Sequence, residues 1–291
     1  MFKTTTFRVT DGAGFRLRER STRLKEDVDK DELKSFVEKE RARIADLQPA
    51  LFAERKHALL IIFQAMDAAG KDSCIAHMLS GVNPQGCRVW SFRAPSAEEL
   101  AHDFLWRHAT AIPERGMIGV HNRSHYEEVL VTRVHPQFIL GQRIPGIEAE
   151  KDITPAFWKH RYASIRGFEE HLSRQGVCIL KFYLHMGREE QCKRFLERID
   201  DPAKNWKFSM GDVKERAMWD EYMTAYEEAI TATATEEAPW YVVPADRQWE
   251  TRAIVCNIVR ERLERLDPRM PVPSAEARQE LAEAAKMLQA E

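Results

Sequence analysis

Leu59-Leu-Ile-Ile-Phe-Gln-Ala-Met-Asp-Ala-Ala-Gly-Lys71 is the stretch whose reading decides the fold. Five apolar residues in succession, Leu59 to Phe63, have the composition of a strand buried on both faces of a parallel sheet. A turn of small residues follows, and Gly70-Lys71 opens a helix that continues through Ile75, Met78 and Leu79. In that layout backbone N–H groups and a helix N-terminus face an anion while a lysine adds a point charge, which is how phosphate-binding loops work. The general pattern G-x-x-x-x-G-K-[ST] requires Gly where this chain has Ala65, and Ser or Thr where it has Asp72. Ser73 falls one residue late for the usual magnesium ligand. The strand before and the amphipathic helix after carry the reading, against the alternative of a tight strand-to-helix turn with a solvated lysine.

Outward from this loop the chain alternates strand and helix. Residues 1–30 are polar and charged, with turn signals at Gly12 and Gly14, and read as an extended arm. A helix over 31–55 and a strand over 58–63 follow, and the loop's helix runs to Ser80 with Gly81 as its stop. Cys87–Phe92 and Gly116–His121 read as strands. The capping box Ser96…Glu99 starts a helix to about Ala109, and a second box, Ser124…Glu127, starts one over Tyr126–Val134. Beyond a long helix from Pro155 to Gln175 come a strand at Val177–His185 and a helix at Arg188–Asp201, whose Cys192, Phe195, Leu196 and Ile199 have the spacing expected of a buried stripe. A tryptophan-bearing loop (204–209), a helix near 212–232, a fifth strand at Pro239–Val243 and a helix over 248–265 complete the core. The pattern predicts an α/β fold, a doubly wound parallel five-stranded sheet with helices on both faces. Ligands then bind at the carboxyl ends of the strands, where His121-Asn-Arg-Ser124 joins the loop.

Composition narrows the partners. The 291 residues suffice for one large α/β domain, read as an arm and helix (1–55), a core (56–266) and a helical tail (267–291). A net charge of −2 gives no global basic field of the kind that binds nucleic acid nonspecifically. The five cysteines show no CxxC spacing and no secretory h-region precedes them, so a reducing, cytoplasmic setting is expected. No apolar run is long enough to span a membrane.

Several blocks together resemble the polyphosphate kinase 2 family, P-loop enzymes that move phosphate between inorganic polyphosphate and nucleotides. Met66-Asp-Ala-Ala-Gly-Lys-Asp72 is similar to its Walker A segment. Ser80-Gly-Val-Asn-Pro-Gln-Gly86, His102-Asp-Phe-Leu-Trp-Arg107 and Asn122-Arg-Ser-His-Tyr-Glu-Glu-Val-Leu-Val-Thr-Arg133 resemble the blocks that follow. So do Asp201-Pro-Ala-Lys-Asn-Trp-Lys-Phe-Ser209 and Ala238-Pro-Trp-Tyr-Val-Val-Pro-Ala-Asp246, and the likeness covers roughly residues 15–265. It implies a P-loop kinase-like fold with a helical lid near 200–225 and transfer from polyphosphate to AMP and ADP, in either direction. It also implies Mg2+, with Mn2+ able to replace it, and a homodimer or homotetramer. Asn122 stands where some members have Asp, and it brings no charge to a metal.

Phosphoryl transfer to a nucleotide needs positioning and charge neutralisation more than a base, because the attacking phosphate is already anionic. Lys71 is the candidate to bridge donor and acceptor phosphates, with Ala68, Ala69, Gly70, Asp72 and Ser73 as the cradle. Asp67 would hold metal or acceptor phosphate, or else close an Asx turn. Glu127 is assigned to the capping box, leaving Glu128 as the second candidate metal ligand. Arg123 and Arg133 are candidate phosphate contacts, with Arg93 and Asn122 placed on the nucleotide side. Lys181, Arg198, Lys204 and Lys207 are candidates for the polyphosphate track. Arg194 and Arg198 share a helix face with Glu190, Glu197 and Asp201 at pairing distance, so a surface ion-pair ladder explains them equally well. Trp206 reads as a lid anchor before a base-stacking platform, and His77, His121 and His125 read as structural. The same sheet and loop could serve an ATP-dependent nucleoside-monophosphate kinase, or a phosphate-sensing module without turnover.

Overall fold

The computed structural model describes residues 2–290, with Lys207 described in its backbone only. Six strands form one sheet: β1 (Arg8–Val9), β2 (Ala58–Gln64), β3 (Cys87–Ser91), β4 (Ile118–Asn122), β5 (Val177–His185) and β6 (Trp240–Pro244). Their spatial order is β1-β6-β5-β2-β4-β3. Strands β2 to β6 run parallel, and β1 pairs antiparallel to β6 through Arg8↔Tyr241 and Val9↔Trp240. The predicted five-stranded sheet is thus corrected to six. Two residues inside a charged arm carry no periodicity that a strand reading could use.

β2 sits between β5 and β4, and all seven of its residues are buried. Leu59, Ile61 and Phe63 pack on one face with helices α1 (Lys30–Glu54) and α2 (Lys71–Met78). Leu60 and Ile62 pack on the other. Between α2 and the next long helix lie four one-turn helices: α3 (Ala97–Leu100), α4 (Trp106–Ala109), α5 (Val131–Val134) and α6 (Gln137–Leu140). The second face is covered by α7 (Pro155–Arg174) and, beyond α8 (Arg188–Asp200) and α9 (Met210–Ala217), by α10 (Trp219–Thr233). Helix α11 (Gln248–Leu266) returns to the first face against α1, and α12 (Ala275–Gln289) buries none of its side chains. Each fully buried apolar side chain of β2 stabilises by roughly 1.5–3 kcal/mol relative to exposure, so this strand anchors the loop that leaves it.

Three helix predictions change in detail. The Ser96 box is present, with Ser96 N donating to Glu99 Oε2 at 2.7 Å and Glu99 N to Ser96 Oγ at 3.2 Å, but its helix stops after one turn and resumes as α4. Ser124 Oγ instead accepts from Tyr126 N at 3.2 Å, so the segment starts as a 3-10 turn over His125–Val129 before α5, with no capping box. The helix predicted over 212–232 breaks at Met218 into α9 and α10.

Candidate active site

The loop leaves the carboxyl end of β2 and folds through two left-handed residues, Ala68 (φ 67°) and Gly70 (φ 96°). Gly70 is the N-cap of α2, and the first intrahelical bond, Cys74 N to Gly70 O at 2.9 Å, leaves the amides of the opening turn ahead of it. Lys71 is half-buried and its Nζ arches back to donate to Ala65 O (2.8 Å) and Met66 O (3.4 Å). Burial lowers its ammonium to about 8, with Arg123 pushing the same way and Asp67, Glu127 and Asp72 opposing.

The end of β4 supplies the other half of the site. Asn122 pairs with Phe63 across the sheet, and its Nδ2 donates to Asp72 Oδ1 at 2.7 Å. Arg123 takes a left-handed conformation (φ 65°), its backbone N donating to Phe63 O at 3.1 Å. That turn aims its guanidinium over the loop, where Nη2 donates to Asp67 Oδ1 at 2.9 Å and Nη1 to Glu127 Oε2 at 3.1 Å. The charge of Glu127, ahead of that of Asp67, holds Arg123 firmly protonated against its burial. Asp67, Lys71, Asp72, Asn122 and Arg123 therefore converge at the carboxyl ends of two adjacent strands. A narrow cavity of about 30 Å3 opens between Asp67, Arg123, Glu127 and the α10 residues Tyr222 and Tyr226.

Helices α8 and α9 close over this edge. Arg198 lies 3.8 Å from Asp212 of α9. Burial raises the Asp212 carboxyl, the negative charge of Asp67 adds to the rise, and Arg198, Arg123 and Lys71 oppose it. The Asp212 carboxylate of α9 is thus within electrostatic reach of the loop.

Other predicted residues lie elsewhere. Lys181 is fully buried mid-strand, donating to Glu169 Oε2 (2.6 Å), Tyr126 OH (3.0 Å) and Thr233 O (2.9 Å), so it cannot meet a phosphate chain. Glu128 also points inward, accepting from Arg161 Nη1 at 3.1 Å and Gln142 Nε2 at 2.5 Å. Burial raises its carboxyl even so, and the carboxylate facing Arg123 is Glu127, free of the expected capping role. Arg133 clamps α5 to α10 through a two-pronged pair with Glu228 (2.9 and 3.1 Å) and stacks over Trp158. Ser73 Oγ donates back to Gly70 O at 3.1 Å, within the loop rather than toward a metal. Arg93 is exposed beyond the outermost strand β3, and Lys204 pairs with Asp201 at 2.7 Å on the lid surface. The side chain of Lys207 lies outside the described residues. Trp206 is 77 % exposed, its Nε1 donating to Ala203 O, and is no core anchor. His121, pushed down to about 4 chiefly by burial, and His108, lowered by the same cause, stay neutral in a buried ring cluster.

Two residues of α8 reach the loop: Gln191, which no motif singles out, and Arg194, which the sequence leaves open between a site role and a surface ladder. Gln191 Nε2 donates to Asp67 O at 3.0 Å, and Arg194 Nη1 to Ala68 O at 3.1 Å. Glu190 four residues before Arg194 was the visible signal, and it suggested a solvated ladder because burial cannot be read from spacing.

Among the described residues, no three or more His, Cys, Asp or Glu side chains gather as a ready-made metal site. Magnesium at phosphoryl-transfer sites is held by one or two carboxylates with the remaining positions taken by water and substrate phosphates. A loop carrying Asp67 beside an anion cradle fits that mode of binding.

A strand–loop–helix turn with a lysine folded over it and an arginine aimed across it is the arrangement of a phosphotransferase. The chain belongs to the polyphosphate kinase 2 family, whose model matches residues 27–271. It is 47 % identical over 287 residues to the ADP-polyphosphate phosphotransferase of Rhodopseudomonas palustris, covering 98 % of each chain. It is 46 % identical over 232 residues to the AMP/ADP-polyphosphate phosphotransferase of Meiothermus ruber, covering 79 % of this chain and 81 % of that one. A crystal structure of a polyphosphate kinase 2 from Arthrobacter aurescens superimposes with a TM-score of 0.86 at 39 % identity, covering 97 % of this chain and 95 % of that chain.

Proposed function

We propose that this chain transfers the terminal phosphate of inorganic polyphosphate to AMP and ADP, giving ADP and ATP, and that the reaction runs in both directions. The observation that carries the reading is the convergence of Lys71, Asp67 and Arg123 on one anion cradle. The polyphosphate donor and the adenine nucleotide acceptors come from the names of the relatives above.

The amides of the 68–73 turn and the α2 N-terminus receive phosphate oxygens, while Lys71 swings from the Ala65 carbonyl to the reacting phosphates. Arg123 neutralises charge that builds on the transferring group, its fork held in place by Asp67 and Glu127. A terminal phosphate oxygen of the nucleotide forms the new P–O bond as the anhydride P–O bond breaks, leaving the polyphosphate one unit shorter. Mg2+, or Mn2+ in its place, would be held by Asp67 and would neutralise phosphate charge. Asn122 lies toward the nucleotide, and Arg198, on the helix that leads to the lid, toward the chain of phosphates. The phosphotransfer unit spans 56–266, with 1–55 and 267–291 as flanking arm and tail, in a cytoplasmic homodimer or homotetramer. No helix among the described residues is long and apolar enough to cross a membrane.

The test is formation of ADP and ATP from AMP with long-chain polyphosphate and Mg2+ but no added ATP, for wild type, Lys71→Ala and Asp67→Asn. Turnover that both substitutions abolish is expected. Turnover that begins only when ATP is supplied would move the chain to ATP-dependent nucleotide kinases, and silence with both donors would leave a binding module.

A further inference from the structure

We propose that Arg194, with Gln191 beside it, is a positioning residue that holds the phosphate loop in its anion-binding conformation. Residues 66–69 form a turn closed by Ala69 N donating to Met66 O at 3.3 Å, with Ala68 third in the turn at φ 67°. A positive φ at that position is the mark of a type II turn and calls for glycine, whereas an alanine there prefers to flip the preceding peptide. Helix α8 opposes that flip. Gln191 Nε2 binds the carbonyl of Asp67, which belongs to the very peptide that would turn over. Arg194, one helical turn on, binds the next carbonyl, that of Ala68.

Arg194 is built for this task. It is buried, 7 % exposed, and its planar fork ties three segments together. Nε donates to Glu190 Oε1 (2.9 Å), Nη1 to Ala68 O, and Nη2 to Ala245 O (2.8 Å) and Asp246 O (2.9 Å) after β6. Four of its five N–H donors face carbonyls and one carboxylate of the protein, which assigns it to holding the loop, and the kinetics below separate that role from contact with phosphate. Gln191 Oε1 also accepts from Arg216 Nη1 of α9 at 2.9 Å, which links the lid to the same peptide.

The inference rests on the phosphotransferase reading, and its experiment separates the two. Steady-state kinetics with polyphosphate and ADP, thermal midpoints, and calorimetry with tripolyphosphate are measured for wild type, Arg194→Lys, Gln191→Leu, Ala68→Gly and each double variant with Ala68→Gly. A lysine cannot reproduce the fork, so Arg194→Lys is expected to lower kcat about tenfold or more, and Gln191→Leu several-fold. Glycine accepts the left-handed turn unaided, so both losses shrink at least threefold in the Ala68→Gly background. Equal losses in both backgrounds overturn the proposal, as does a loss confined to KM for polyphosphate, which marks a direct phosphate contact. Should Arg194→Lys not fold, the Gln191→Leu pair decides alone. Tripolyphosphate binding reads the loop without turnover. An inactive wild type therefore overturns the enzymatic reading, while an active one indifferent to residues 191 and 194 overturns only this one.

Discussion

Asp67 and Arg123, 56 positions apart in sequence, meet at 2.9 Å across the gap between the loop after β2 and the end of β4. Each is turned toward the other by backbone: Asp67 by the turn that follows it, Arg123 by its own left-handed φ of 65°. The pair sets opposite charges in direct contact beside the loop and next to Lys71.

Removing either member therefore costs rate. Asp67→Asn and Arg123→Lys are each expected to lower kcat by about 10²–10³, the range for loss of one preorganised electrostatic group. Glu127→Gln, which leaves the Asp67 contact in place, is expected to lose less than either. Steady-state kinetics at saturating Mg2+ ranks the three.

Lys71 sets the alkaline limit. Its ammonium titrates at about 8 in the folded chain, below its ordinary value of 10.5, chiefly through burial. Charge at the cradle is present below about 8 and disappears as pH rises through that value, so KM for polyphosphate should climb there. A bound polyanion restores the proton, so calorimetry at pH 9 in buffers of differing ionisation enthalpy should show proton uptake on binding. Lys71→Met should show none.

Gly70→Ala tests the backbone apart from space. A Cβ there meets only Ser73 Oγ at 3.6 Å and Arg194 Nη1 at 3.9 Å, ordinary contacts, but φ is 96°. The substitution should destabilise by about 1–2 kcal/mol and weaken tripolyphosphate binding at least tenfold. Denaturant melts and calorimetry report the two effects separately.

Lys181 should affect stability rather than substrate. Burial pushes the Glu169 carboxyl up, yet Lys181 and the hydrogen bond from His125 outweigh it and hold that carboxyl below its usual range. Breaking such a buried pair from one side costs about 3–5 kcal/mol. Lys181→Met is expected in that range, and Lys181→Met with Glu169→Gln should lose less than the sum of the two singles. In the folded fraction KM for polyphosphate should stay within twofold of wild type.

Much of the architecture was legible because it is local. An unbroken apolar run identified β2, the Gly-Lys step identified its loop, and the strand–helix alternation placed Asn122 and Arg123 at the same edge. β1 was not legible, because two residues become a strand only when β6 arrives beside them. Neither Glu127 nor Glu128 meets its expected partner because the segment begins as a 3-10 turn, which rotates the first toward Arg123 and the second toward Arg161. Lys181 looked like a ligand because a lysine within a strand carries no sign of the glutamate, Glu169, that awaits it on α7. Arg194 stays undecided between site and surface in the sequence, since the carbonyls it binds lie 126 and 51 positions away.

The arm that carries β1 has a consequence for one edge of the sheet. Four of its hydrogen bonds reach far downstream: Thr4 Oγ1 to Glu261 (2.6 Å), Arg8 to Glu236 (2.7 Å), Leu17 N to Glu227 (2.7 Å) and Thr22 to Asp246 (2.8 Å). These arm residues therefore take their places only where residues 227–261 are already present to receive them. Without residues 227–261 the arm has no partners and β5 is left as an open sheet edge, so the two distant segments seal that edge together.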